Sequence, residues 1–102
     1  MDRVVRDNRE RRRYEILSEG RVVGTLTYRL RGDVVSFQHT EVDNAYSGKG
    51  FASSLVRRAL DETRNAGRSV LPYCPYVREW IEKHPDFVDL VPADKRPEFG
   101  FA

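Results

Sequence analysis

Residues 43–66 constrain the fold more than any other stretch of the chain. Asp43-Asn44-Ala45-Tyr46-Ser47-Gly48-Lys49-Gly50 is polar and glycine-bearing, and directly after it Phe51, Ala52, Leu55, Val56, Ala59, Leu60 and Thr63 recur at helical spacing. Arg57, Arg58, Asp61, Glu62, Arg64 and Asn65 fill the opposite face, and Gly67 stands where a left-handed C-terminal cap is expected. The pattern predicts an amphipathic helix over about residues 50–66. One face of such a helix must find an apolar surface, and the flanking segments read as the strands that provide it.

Tyr14, Ile16, Val22, Val23, Leu26, Tyr28, Leu30, Val34, Val35 and Phe37 are β-favouring residues in short runs, broken at Ser18-Glu19-Gly20 and Arg31-Gly32-Asp33. Glycine in each break suits a hairpin turn, so the first half reads as an antiparallel three-stranded meander over roughly residues 12–18, 21–30 and 34–42. After the helix, Ser69-Val70-Leu71-Pro72-Tyr73 reads as a fourth strand, which makes residues 34–73 a β-loop-α-β unit with parallel neighbours. Pro75 opens a second short helix through Val77–Lys83, ended by His84-Pro85 because the residue before proline avoids helical angles. Phe87, Val88, Leu90 and Val91 read as a last short strand or a packed tail. The fold class is thus mixed α/β, with α+β character in the meander.

At 102 residues the chain can bury one core, so residues 1–102 are expected to form a single domain, with 1–11 and 93–102 flexible at its ends. Apolar residues make up 39% and charged residues 33%, a balance that excludes a spanning or disordered chain. Eighteen basic against 16 acidic residues leave a net charge of only +2, too small a field to argue for nucleic acid. Six arginines do fall within the first 13 residues, but Asp2, Asp7 and Glu10 sit among them and no aromatic residue interleaves the cluster, so a solvated terminus is expected. The start lacks a secretory pattern, and the single cysteine, Cys74, excludes a disulfide framework or a multi-cysteine metal site. These features lead us to expect a cytoplasmic protein with neither membrane nor nucleic acid as partner and no metal.

A strand running through a glycine loop into a helix is an anion site in waiting. Amides at the helix start lack acceptors, and the helix dipole adds partial positive charge. Gly48 and Gly50 let backbone approach phosphate oxygens, and Lys49 adds a charge. The same loop also suits a plain tight connection. Its spacing differs from a P-loop and lacks the third glycine of a dinucleotide fingerprint.

Val42 to Val56 (VDNAYSGKGFASSLV) resembles the pyrophosphate-binding motif of the GNAT acetyltransferases, usually written Gln/Arg-x-x-Gly-x-Gly/Ala. Gly50 and Ala52 occupy its last two positions, while Ser47 stands where Gln or Arg is usual. The two early helices of that fold are missing. A compact subgroup of about 100 residues accounts for this, and its residues are seen at His39-Thr40-Glu41-Val42, Gly48-Lys49-Gly50-Phe51-Ala52, Leu71-Pro72-Tyr73-Cys74-Pro75-Tyr76-Val77 and His84-Pro85. The resemblance implies a truncated GNAT fold in which the third and fourth strands splay. Pantetheine would then lie in the gap against backbone near Glu41, Val42 and Asp43, and the loop would bind pyrophosphate. The cofactor set that the resemblance implies is Val42, Asp43, Ser47, Gly48, Lys49, Gly50, Phe51, Ala52, Ser53 and Tyr76, and the cofactor it implies is acetyl-CoA.

Acetyl transfer needs a base for the amine and an acid for the departing thiolate. Cys74, past the fourth strand, is a candidate acid or acetyl acceptor, or else a buried small hydrophobe. His39, expected to alternate with Phe37 and Glu41 along its strand, is a candidate base or a hydrogen-bonded sheet residue. Glu41 would attract a cationic amine or pair with an arginine. Tyr73 and Tyr76 are further proton donors or core residues, Trp80 and Ile81 read as core, and His84 as a helix end. The expected function is acetyl-CoA-dependent N-acetyl transfer to an unidentified amine, and the alternative is a CoA-binding or protein-interaction module of the same shape. An open gap between strands would also leave room for a second subunit, making a homodimer.

Overall fold

The computed structural model describes residues 2–102. Five strands form one sheet in the order of the chain: β1 (Arg3–Asn8), β2 (Arg13–Ser18), β3 (Arg21–Arg31), β4 (Val34–Val42) and β5 (Ser69–Pro72). The first four pair antiparallel, and β5 lies parallel beside β4. Helix α1 (Phe51–Asn65) carries the chain from β4 to β5, and α2 (Pro75–Lys83) follows β5. The mixed α/β architecture is the one expected, with a strand more than the three-stranded meander.

The added strand is β1, within the segment expected to be flexible. Arg3 to Asn8 pair residue by residue with Ser18 to Arg13. The hydrophobic pattern hides this strand because it is an edge, and edges are kept charged to block further pairing. Its alternation is nevertheless real: Val5 packs against the core, while Arg6 and Asn8 turn to the other face. There Glu15 Oε1 accepts from Arg6 Nε at 2.8 Å, and Oε2 accepts from Arg13 Nε at 2.8 Å and Asn8 Nδ2 at 3.1 Å.

Glu15 is only 1% exposed. Burial alone would raise its pKa, but the donors from Arg6, Arg13 and Asn8 outweigh it and hold the carboxyl below its ordinary 4.5. A depressed folded-state pKa contributes stability that is present above the unfolded value and lost as pH falls through the folded one. Glu15→Gln is therefore expected to cost about 1–3 kcal/mol at neutral pH. The gap between mutant and wild type should close in melts run well below pH 4.5; a pH-independent difference would contradict this.

The core lies between the sheet and the two helices. Tyr14, Ile16, Leu26 and Phe37 meet Phe51, Leu55, Val56, Ala59 and Leu60 of α1, each 6% exposed or less. Burying a residue of the Leu or Phe kind contributes about 1.5–3 kcal/mol, so this face accounts for α1 more than helix propensity does. Tyr14, Tyr28 and Phe37 form a tilted aromatic cluster with centroids 5.5–6.4 Å apart. Gly24, opposite Val42, is required by crowding: a Cβ there would meet Ile16 Cγ2 at 2.9 Å and Glu41 O at 3.1 Å.

Pro75 opens α2 and His84 closes it, with Val77, Trp80 and Ile81 buried, as expected. Beyond it, of the two readings for Phe87, Val88, Leu90 and Val91 the packed tail holds and the strand does not: all four lie in or against the core. Pro85–Leu90 is a 3-10 turn with Phe87 and Leu90 inward. The expectation of a loose segment at 93–102, by contrast, is corrected. Ala93–Phe99 is a further 3-10 segment, and Phe99 and Phe101 are each 8% exposed. The two aromatic side chains on either side of Gly100 are the reason, since their burial outweighs the order imposed on a proline-bearing tail. Among the described residues, no helix is long and apolar enough to cross a membrane.

Candidate cofactor and catalytic site

Strands β4 and β5 pair from Val34 and Ser69 to Phe37 and Pro72, and the Cys74 amide donates to Phe37 O at 2.9 Å. There they part. Pro72 has no N–H to continue the ladder, Tyr73 curls back with its amide on Leu71 O at 3.1 Å, and Pro75 starts α2. On the other strand, Tyr28 opposes Phe37 and Thr27 opposes His39, leaving Gln38 as a bulge. From Gln38 to Val42, β4 is paired with β3 alone. The Asp43 amide donates to Val23 O at 2.8 Å, so by the alternation of an antiparallel ladder Glu41 and Asp43 direct their main-chain groups to β3. The N–H and C=O of Thr40 and Val42 then face the gap.

The gap opens onto the loop. Asn44–Tyr46 forms one 3-10 turn, with Tyr46 N–H on Asp43 O at 2.8 Å, and Tyr46 holds Phe51 edge-on at 5.1 Å. Gly48 (φ 75°) and Gly50 (φ 81°) are left-handed. Gly50 is the N-cap of α1, with no capping side chain and no acidic residue in the first turn. The first amide to find a helical acceptor is that of Ser54, on Gly50 O at 3.0 Å. The amides of Phe51, Ala52 and Ser53 are thus left for a ligand or water at the positive end of the helix dipole. Lys49 and Ser47 are exposed beside them. The hydroxyl of Ser53 is already engaged, accepting from Trp80 Nε1 at 2.9 Å, which ties α2 to the first turn of α1.

Arg3 also reaches this place. It shares the helix-facing side of β1 with Val5, and its Nη1 donates to Ser54 Oγ at 3.0 Å and its Nη2 to Lys49 O at 3.2 Å. The guanidinium lies 4.2 Å above the Phe51 ring. Sequence reasoning missed Arg3 because it missed β1. The signal was parity alone: residues 3, 5 and 7 share a face once the strand is granted.

Cys74 is 2% exposed at the N-cap of α2, and its Sγ lies 3.2 Å from Thr40 Oγ1. Thr40 was named only within the run His39-Thr40-Glu41-Val42, with no role of its own, and it opposes the buried Leu26 on the core face. His39 and Glu41, by contrast, are exposed on the other face, opposite Thr27 and Thr25. The expected alternation of His39 with Phe37 is corrected by the bulge: one extra residue reverses the parity, so Phe37 is buried and His39 faces out. The three catalytic candidates are therefore divided between two sides of β4.

Tyr76 stands on the first turn of α2, 40% exposed, one turn ahead of Trp80, and burial raises its pKa. Its hydroxyl stays protonated at neutral pH. Tyr73 is 50% exposed and packs edge-on against Phe99 at 5.2 Å, apart from the gap. His84 stacks on Trp80 at 3.8 Å, and its Nδ1 lies 2.7 Å from Trp80 O. Among the described residues no cluster of three His, Cys, Asp or Glu could hold a metal.

Parted strands leading to an uncapped helix start are features of an acetyltransferase fold. Residues 13–90 match the GCN5-related N-acetyl-transferase family, and the chain belongs to it. Protein NATD1 of Mus musculus is 33% identical over 85 residues, covering 79% of this chain and 76% of the relative. The NATD1 of Danio rerio is 28% identical over 91 residues, 85% and 83% of the two chains. Among solved structures, a GCN5-like putative N-acetyltransferase from Staphylococcus aureus superposes with a TM-score of 0.67 at 18% identity, over 87% of each chain. Rv2747 from Mycobacterium tuberculosis, solved in complex with CoA and NLQ, gives a TM-score of 0.55 at 21% identity over 86% of this chain and 57% of its own. The ribosomal-protein-S18-alanine N-acetyltransferase from Escherichia coli gives 0.55 at 17% identity. The match spans 57% of this chain but only 38% of that longer enzyme. These likenesses bear on the fold.

Proposed function

We propose that the chain binds acetyl-CoA between β4 and β5 and transfers its acetyl group to an amine. The observation that carries this reading is the continuity of the β4–β5 gap with the uncapped start of α1. When bound, acetyl-CoA supplies an acetyl thioester, and the residues present fit it. The main-chain groups of Thr40 and Val42 offer an unpaired strand edge to pantetheine, whose two amides can pair with it. Gly48, Gly50 and the amides of Phe51, Ala52 and Ser53 form the cradle for the diphosphate, with Asp43 and Ser47 leading the chain into it and Lys49 adding charge.

Two candidate proton donors flank the parting point. Cys74, in contact with Thr40, and Tyr76, whose phenol pKa is raised further above its ordinary 10.0 by partial burial, are the candidates to protonate a departing thiolate. Glu41 and His39 face the open side of the sheet, where no helix covers them. There the carboxylate attracts a cationic amine and the imidazole accepts its proton. The acceptor therefore reaches the gap from the face opposite α1. We place this activity in the cytosol, where a lone thiol stays reduced.

The bare acceptor face favours one second reading, a CoA-binding module with little transfer. Calorimetric titration with acetyl-CoA tests what the two share, and turnover with amines separates them.

A further inference from the structure

We propose that Arg3 is a phosphate-binding residue, supplying a second cation, beside Lys49, to the diphosphate of the bound CoA. The inference rests on the CoA reading above and extends its site to a strand outside the matched residues 13–90. Three observations carry it.

The first is position. Arg3 Nη2 is bonded to the carbonyl of Lys49, inside the loop, and Nη1 to Ser54, one turn into α1. A Cβ on Gly50 would lie 3.6 Å from Nη1, so the guanidinium is in van der Waals reach of the N-cap itself.

The second is pre-organisation. Two acceptors and the face of Phe51 at 4.2 Å fix the guanidinium plane. Of its five N–H donors two are used, and the remaining three are available without rearrangement.

The third is charge. Arg6, Arg9 and Arg13 of the same segment each pair with a carboxylate, whereas Arg3 forms no salt bridge among the described residues. The first turn of α1 holds no acidic residue either. A guanidinium thus meets the positive end of a helix dipole, with Lys49 exposed in the same loop and no acidic residue in the first turn of α1. Positive charge gathered in this way favours an anion beside it.

The experiment is calorimetric titration of wild type, Arg3→Gln and Arg3→Lys with CoA and with dephospho-CoA at several salt concentrations. Arg3→Gln should raise the Kd for both ligands about tenfold, the loss of one charge-assisted contact. It should also flatten the salt dependence of binding, which a merely structural role would leave unchanged. Arg3→Lys, which keeps the charge, should recover part of the affinity. Equal affinity of Arg3→Gln and a wild type that binds would overturn the role of Arg3 and leave the CoA site standing. A loss confined to CoA would place Arg3 on the 3′-phosphate and overturn the diphosphate assignment. Failure of wild type to bind either ligand would overturn both readings.

Discussion

Gly50→Val is expected to weaken CoA binding by at least about 100-fold while the protein remains folded, because it removes the geometry of two or more charge-assisted contacts. Gly50 caps α1 at φ 81° and ψ 7°, where it turns the following amides outward. A left-handed conformation costs an ordinary L-residue about 1–2 kcal/mol, and a β-branched one more, so valine will drive the cap to another conformation and withdraw the amides. Space is not the obstacle, since a Cβ there meets only Arg3 Nη1 at 3.6 Å. Gly32→Val supplies the control: φ is 57° in the β3–β4 turn, with nothing within 4 Å of a Cβ. Both variants should lose stability by about 5–10 °C in melting temperature. Only Gly50→Val should lose the ligand. Unchanged CoA affinity in Gly50→Val would refute the loop assignment.

Cys74→Ala is expected to separate binding from transfer. Removing a buried sulfur that contacts Thr40 at 3.2 Å leaves a small cavity, costing about 1 kcal/mol. Because the gap is built from main chain, CoA affinity should stay within about twofold of wild type. Acetyl transfer to a panel of peptide α-amines, lysine side chains and small polyamines should fall about 100-fold, the typical worth of a positioned acid or base. Intact-mass analysis of wild type with acetyl-CoA distinguishes an acetylated thiol from a simple proton donor. Full activity in Cys74→Ala would remove Cys74 and leave the proton to Tyr76. No turnover even in wild type, with binding intact, would favour the binding-module reading.

The elements legible in the sequence are those whose signal is local. The α1 stripe from Phe51 to Thr63, the hairpin glycines and the proline that starts α2 each announce themselves within a few residues. The loop was legible as a glycine-bearing connection into α1, and Gly48 and Gly50 are both left-handed there. The edge strand β1 was not, because its stabilisation is spread over partners far along the chain: Glu15 for Arg6, and Ser54 and Lys49 O for Arg3. Its composition is that of a solvated tail. The C-terminal segment misled for a related reason: Phe99 and Phe101 stand beside a charged run in the sequence, yet both are buried, Phe99 edge-on against Tyr73 far back along the chain. On β4, the bulge at Gln38 reverses which face His39 occupies, and no residue of the strand marks it. Thr40, hidden by that same shift, meets Cys74 across 34 residues of chain.

Titration of the purified protein with acetyl-CoA, run beside CoA and ATP, tests the central claim most directly, since it needs no knowledge of the acceptor. The account predicts micromolar binding of acetyl-CoA and CoA and no comparable signal from ATP, whose triphosphate carries no pantetheine to lie along Thr40 and Val42. Absence of binding by either CoA species, or equal binding of ATP, would contradict it.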